Sequence, residues 1–185
     1  MFEAAKQLET PGVIGVIPTD TVYGVVARAA DESAVARLYE LKKREAKPGT
    51  LIAASINQLA ELGIKLRYLT AVQQFWPGAV SVVIPCGDNL TYLHHGLRSL
   101  AVRIPADLEL RKFLEQTGPL LTSSANHPGQ KPADTAAEAK NYFGEEVDFY
   151  IDGGDLSGRE PSTVIRMIDD AIEVLREGAV KIQEN

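Results

Sequence analysis

Val13-Ile14-Gly15-Val16-Ile17-Pro18-Thr19-Asp20-Thr21-Val22-Tyr23-Gly24 is the stretch on which the fold turns. Val13 to Ile17 is rich in β-branched residues and reads as a buried strand. Pro18 cannot donate to a sheet ladder, so it closes that strand and sets the exit of the chain. Thr19, Asp20 and Thr21 then stand at the lip of the sheet, where open α/β proteins bind ligands. Residues of this kind also cap their own turns, so alone the cluster is equally a strand-to-loop corner.

Outward from this stretch, strand and helix patterns mix without repeats. Residues 2–10 read as a short amphipathic helix stopped before Pro11-Gly12. Asp31-Glu32-Ser33 opens the next helix with acidic residues suited to its positive end, and Ala34, Val35, Leu38 and Leu41 give it one buried stripe. That helix runs out at Lys42-Lys43-Arg44, and Thr50 to Ala54 is the next strand. Asn57 to Gly63 and Thr70 to Phe75 read as short helices, with a hard stop at Trp76-Pro77-Gly78.

Ala79 to Pro85 and Ser99 to Pro105 are expected as strands, separated by a polar, turn-rich segment from Gly87 to Gly96. Leu108 to Gln116 is expected as a helix with Leu108, Leu110 and Leu114 inward. A strand over Leu120-Leu121-Thr122 leads into Ser123-Ser124-Ala125-Asn126. A helix from Asp134 or Thr135 to Phe143 follows, then a short strand from Val147 to Ile151. Residues 162–168 and 171–176 complete the pattern as two strands joined at Asp169-Asp170. The expected class is α/β with a mixed sheet in one domain spanning residues 1–185.

Composition narrows the function classes. The 185 residues fit one domain, and 45% hydrophobic content suits a globular core. No apolar run approaches the roughly 20 residues that span a bilayer, and Met1 to Lys6 does not open a signal peptide. The single cysteine, Cys86, cannot form an internal disulfide and reads as an inert thiol. Together these point to a cytoplasmic protein with no membrane partner. A net charge of −6 weighs against a broad nucleic-acid grip, although 19 basic residues can still line a phosphate pocket.

The common nucleotide loops G-x-x-x-x-G-K-[ST] and G-x-G-x-x-G are absent, as are paired zinc motifs and a G-x-S-x-G elbow. His94-His95 reads as a turn rather than a metal pair. Four polar clusters remain, each at the end of an element. They are Thr19-Asp20-Thr21, Lys42-Lys43-Arg44, Ser123-Ser124-Ala125-Asn126, and Pro161-Ser162-Thr163-Val164, with Arg103 ending another strand. Lys42 and Arg44 could clasp a polyphosphate, since arginine offers a planar fork and lysine a point charge. A solvated helix C-terminus gives the same pattern.

Taken in order, Thr21-Val22-Tyr23-Gly24, Lys42-Lys43-Arg44, Trp76-Pro77-Gly78, Ala101-Val102-Arg103-Ile104-Pro105, Ser124-Ala125-Asn126 and Ser162-Thr163-Val164 resemble the YrdC-like family of threonylcarbamoyl-adenylate synthases. The resemblance runs from about Val13 to Arg176 and is to the short, single-domain branch. It implies a twisted open α/β sheet with a large concave cavity. It also implies formation of threonylcarbamoyl-AMP and pyrophosphate from L-threonine, bicarbonate and ATP, with Mg2+ arriving on the ATP. A tRNA-modifying threonylcarbamoyl transferase complex would consume the product, making threonylcarbamoyladenosine in tRNA.

By the same resemblance, Lys42 and Arg44 are the catalytic pair and bind ATP with Ser124, Asn126, Thr135 and Arg176. Thr21, Arg103 and Ser162 hold threonine, with Arg103 on its carboxylate. Weak tRNA or double-stranded RNA binding is implied as well. The competing reading is a non-catalytic or divergent YrdC-like RNA-binding protein.

Overall fold

The computed structural model describes residues 2–43, 47–168 and 171–182. Along the chain come α1 (Phe2–Gln7), β1 (Ile14–Ile17), β2 (Gly24–Arg28), α2 (Glu32–Leu41), β3 (Thr50–Ile52), α3 (Ile56–Glu61), α4 (Leu66–Ala71) and β4 (Val80–Pro85). Then follow α5 (Thr91–His94), β5 (Ser99–Arg103), α6 (Leu108–Thr117), β6 (Leu120–Ser124), α7 (Ala136–Phe143), β7 (Phe149–Tyr150), β8 (Thr163–Ile168) and β9 (Ala171–Arg176).

The strands form one nine-stranded sheet in the order β7-β1-β2-β6-β3-β5-β4-β8-β9. The pairs β1/β7, β3/β5 and β4/β8 are parallel and the others antiparallel, so the sheet is mixed as the sequence pattern predicts.

Side-chain alternation divides this sheet into two unlike faces. One face carries Val25, Leu51, Val82, Val102, Leu121 and Ile165 into a large core closed by α2, α3, α4, α5 and α7. The other face carries Ile17, Val26, Ile52 and Leu120 against Ala4, Ala5 and Leu8 of α1 and its following turn, and Leu110, Phe113 and Leu114 of α6. The register puts Thr50, Ala101 and Thr122 on this second face. There the helical cover ends and a cavity opens.

Several local expectations shift. β2 is absent from the sequence pattern, because Gly24–Arg28 is a short run made a strand by partners on both sides, β1 and β6. Leu108 is 63% exposed rather than inward. Asp107 is the N-cap of α6, which puts Leu108 at the first helical position, two residues out of phase with Leu110. Phe113 takes the inward place between Leu110 and Leu114.

The expected helix over 2–10 stops at Gln7, the one from Thr70 to Phe75 is α4 followed by a 3-10 turn at Gln73–Phe75, and the strand from Val147 shrinks to β7. The segment read as turns from Gly87 holds a 3-10 turn at Asp88–Leu90 and α5, because Leu90 and Leu93 are drawn into the core. Residues 169 and 170, read as the hairpin turn, lie outside the described residues. The strands beside them pair antiparallel, with Arg166 opposite Glu173.

Candidate functional site

The cavity has a volume of about 640 Å³. Its floor is the open face of the sheet: Thr50 of β3, Val83 of β4, Ala101 of β5 and Thr122 of β6. Gly24 lies beside Thr122, and a Cβ there would sit 2.4 Å from the Thr122 hydroxyl, so only glycine lets the turn end this close to the floor.

The turn between β1 and β2 forms one wall. The Thr19 hydroxyl accepts from the amides of Thr21 and Val22, both at 3.2 Å, and donates to the Val22 carbonyl at 2.6 Å. Its only proton is thereby committed. The Thr21 hydroxyl lies 3.0 Å from that of Thr19 and lines the cavity. Behind the turn the buried Tyr23 phenol accepts from the Gly153 amide and donates to the Gly154 carbonyl, each at 2.8 Å. Burial pushes that phenol above its ordinary pKa and keeps it a donor.

Arg103 enters from the end of β5 and Arg176 from the end of β9, with Lys47 before β3. Arg103 is 3% exposed, and its Nη1 donates to Oδ1 of Asp20 at 2.6 Å. Arg176 donates through Nη2 to the Ser162 carbonyl at 2.6 Å and to the Ser162 hydroxyl at 3.3 Å. The Ser162 hydroxyl also lies 2.8 Å from that of Ser81, deep in the sheet. The wall thus combines three cations with hydroxyl groups, and no carboxylate lines it among the described residues. Such a surface takes an anionic ligand with several oxygens.

Of the residues singled out in the sequence, the structure brings Thr21, Arg103, Ser124, Ser162 and Arg176 to this one wall. Lys42, Asn126 and Thr135 stand outside it. Lys42 is buried, and its ammonium donates to the Ser124 carbonyl at 2.7 Å, to the Asn126 carbonyl, and at 3.4 Å to the Asn126 side chain. It also lies 5.9 Å from the centre of the Phe143 ring. Asn126 in turn donates from Nδ2 to the carbonyls of His127 and Gln130 at 2.9 and 2.8 Å. Lys42 of the Lys-x-Arg motif therefore meets the Ser-x-Asn motif, chiefly through backbone carbonyls and outside the cavity lining.

Thr135 is the N-cap of α7, accepting from the Glu138 amide at 3.1 Å, which accounts for its hydroxyl as a helix start. Arg44 lies outside the described residues.

Sequence reasoning passed over Lys47, Thr50 and Thr122, and treated Asp20 only as one of a polar trio. Thr122 was within reach, because it precedes Ser124 by two and so shares its face of β6. Among the described residues there is no group of three or more metal-ligating side chains. His94 accepts at Nδ1 from the amides of Gly96 and Arg98, so Nε2 carries the proton toward the Gly87 carbonyl at 3.1 Å. His95 packs edge-on against Tyr39. No helix among the described residues is long and apolar enough to cross a membrane.

A family model for the Sua5, YciO and YrdC proteins, described as "Telomere recombination", matches residues 7–178. The threonylcarbamoyl-AMP synthase of Idiomarina loihiensis is 34% identical over 178 residues, covering 92% of this chain and 95% of the relative. The crystal structure of Pyrococcus abyssi Sua5 complexed with L-threonine superposes with a TM-score of 0.83 at 32% identity, over 96% of this chain and 54% of that one. This chain therefore spans about half the length of the Pyrococcus protein. Escherichia coli YciO shares the fold, with a TM-score of 0.82 at 23% identity over 97% of this chain and 89% of that one.

Proposed function

The chain belongs to the Sua5/YciO/YrdC family, and from that premise we propose that it is an L-threonylcarbamoyladenylate synthase, a nucleotidyltransferase acting for threonylcarbamoyladenosine modification of tRNA. The observation that carries the reading is the cavity wall. Thr21, Arg103 and Ser162 come together with Ser124 and Arg176 on one open sheet face.

The amine of L-threonine adds to bicarbonate with loss of water and gives a carbamate. A carbamate oxygen attacks the α-phosphorus of ATP, the bond to the bridging oxygen breaks, and pyrophosphate leaves. Negative charge grows on the phosphate oxygens and on the leaving group. Catalysis of this kind is chiefly positioning and charge stabilisation.

In this reading Arg103 takes the threonine carboxylate, and the hydroxyls of Thr21 and Ser162 orient the rest of the amino acid. Ser124 contacts the nucleotide, Arg176 and Lys47 face its phosphates, and Arg44 binds them as the family resemblance implies. Lys42 acts through the carbonyls it holds, fixing Ser124 and Asn126 against the wall. Mg2+ comes with ATP, whose phosphates supply its ligands. The product passes to a threonylcarbamoyl transferase that acts on tRNA.

The test is pyrophosphate release by the purified chain, with and without L-threonine and bicarbonate. Release is expected to need both cosubstrates and to fall about 100-fold or more in Arg44→Ala and Lys42→Ala. Release indifferent to threonine, or salt-sensitive RNA binding with no turnover, would overturn the reading in favour of a non-catalytic RNA-binding relative.

A further inference from the structure

Asp20 sits between Thr19 and Thr21 in the turn after β1, and its carboxylate is bound twice. Oδ1 accepts from Arg103 Nη1 at 2.6 Å, and Oδ2 accepts from the Ala106 amide at 3.0 Å. The two side chains are 11% and 3% exposed, and Asp20 does not itself line the cavity that Arg103 lines. The pair joins segments 83 residues apart, the turn after β1 and the chain leaving β5.

Burial makes this pair informative. An ion pair taken out of water contributes little net stability over an apolar pair of the same volume. Its effect here is on geometry. A guanidinium is a planar fork of five donors on a long, flexible stem, and it recognises a carboxylate well only when its plane is fixed. Asp20 engages one arm, and its second oxygen is anchored to backbone, so the carboxylate itself cannot swing. The remaining donors belong to a group that forms the cavity wall.

We infer that Asp20 is a positioning residue: it holds the Arg103 guanidinium, from behind the wall, in the orientation that receives the carboxylate of the amino-acid substrate. The inference rests on the function proposed above. It assigns to Asp20 no contact with substrate and no proton to move. It also accounts for the charge at this end of the cavity. Asp20 neutralises Arg103, so a single carboxylate suits the site better than a polyphosphate does.

The experiment compares Asp20→Asn, Arg103→Lys and the double variant with the unaltered chain. L-threonine binding is read by calorimetry and the KM for each substrate by pyrophosphate release. Asp20→Asn keeps the volume and one acceptor but loses the charge. We expect its threonine KM and dissociation constant to rise about 10-fold or more, with the KM for ATP held within about twofold. In the Arg103→Lys background, which lacks the fork, Asp20→Asn should add less than about threefold.

Threonine affinity unchanged in Asp20→Asn would overturn the inference. So would an equal loss of ATP affinity, or an undiminished effect in the Arg103→Lys background, since each describes a structural role. If the unaltered chain neither binds L-threonine nor needs it for turnover, the proposed function falls and takes this inference with it. If the unaltered chain and Arg103→Lys behave as expected and Asp20→Asn alone does not, only this inference falls.

Discussion

Two faces of the same three strands do different work. On β3, β5 and β4, Leu51, Val102 and Val82 point into the larger core and are fully buried. Their chain neighbours Thr50, Ala101 and Val83 point the other way and form the floor of the cavity. Adjacent residues thus answer to opposite demands. The packed face is judged by volume, because close-packed interiors register the loss of a methylene. The open face is judged by shape and charge, because a ligand must fit there. Strand alternation ties the two together, since a slip of one residue would exchange them.

The largest expected effect is on the packed face. Leu51→Ala should remove about 3 kcal/mol of unfolding free energy in urea, within the about 2–5 kcal/mol span of such truncations. Pyrophosphate release per folded molecule should change little, and a loss beyond the unfolded fraction would break the separation of faces. The opposite pattern is expected one strand away on the open face. Ala101→Phe puts a ring into the cavity. Threonine-dependent turnover should fall about 100-fold, as when reacting groups are displaced. Its urea midpoint should stay within about 1 kcal/mol of the unaltered chain in free-energy terms.

A smaller effect should come from where the faces are stitched by polar atoms. Ser81 is fully buried, and its hydroxyl lies 2.8 Å from that of Ser162 in the wall. Ser81→Ala removes that partner. A stability loss of about 1 kcal/mol is expected by urea titration, with a rise of a few-fold in the threonine KM. A rise in the ATP KM instead would move Ser162 to the nucleotide side of the cavity and redraw the comparison.

The sequence shows the strands of this sheet more plainly than its faces. Val80-Ser81-Val82-Val83-Ile84 and Leu100-Ala101-Val102 are continuous apolar or small runs, so strand identity is legible while the direction of each side chain is not. Only pairing resolves it, and pairing is a property of β8 and β3 as much as of β4 and β5. β2 went unread for the same reason, being a strand by virtue of its neighbours.

The polar clusters were legible as chemistry because each stands at the end of a strand or helix, and the fold gathers three of them, around Thr21, Ser124 and Ser162, at one cavity with Arg103. Their division of labour was not. Nothing in Lys42-Lys43-Arg44 tells that the first ammonium turns to the backbone carbonyls of Ser124, which ends β6, and Asn126 beyond it. Nothing in Thr19-Asp20-Thr21 tells that the aspartate meets an arginine 83 residues away.

Cys86 provides an effect confined to alkaline pH and a control at the edge of the larger core, away from the cavity. It follows the last residue of β4 and is half-buried, with its sulfur 3.7 Å from the Ile84 carbonyl. Burial disfavours the thiolate and lifts the thiol from an ordinary 9.0 to about 11. In the fold the group stays neutral, while the unfolded chain ionises it above its ordinary value. Its contribution to stability is therefore whole below pH 9.0 and is lost as pH rises toward about 11. Tyr23, Tyr92 and Tyr150, whose pKa values burial also raises, add to the same alkaline decline.

Cys86→Ala should flatten part of that decline in urea midpoints taken at about pH 8 and about pH 10.5, and should leave turnover near neutrality unchanged. Alkylation of the folded chain at about pH 8 should run about 100-fold slower than of the unfolded chain, since reactivity follows the thiolate. A fast-reacting Cys86 whose modification stops turnover would tie the end of β4 to the cavity and extend the open face to a residue now placed outside it.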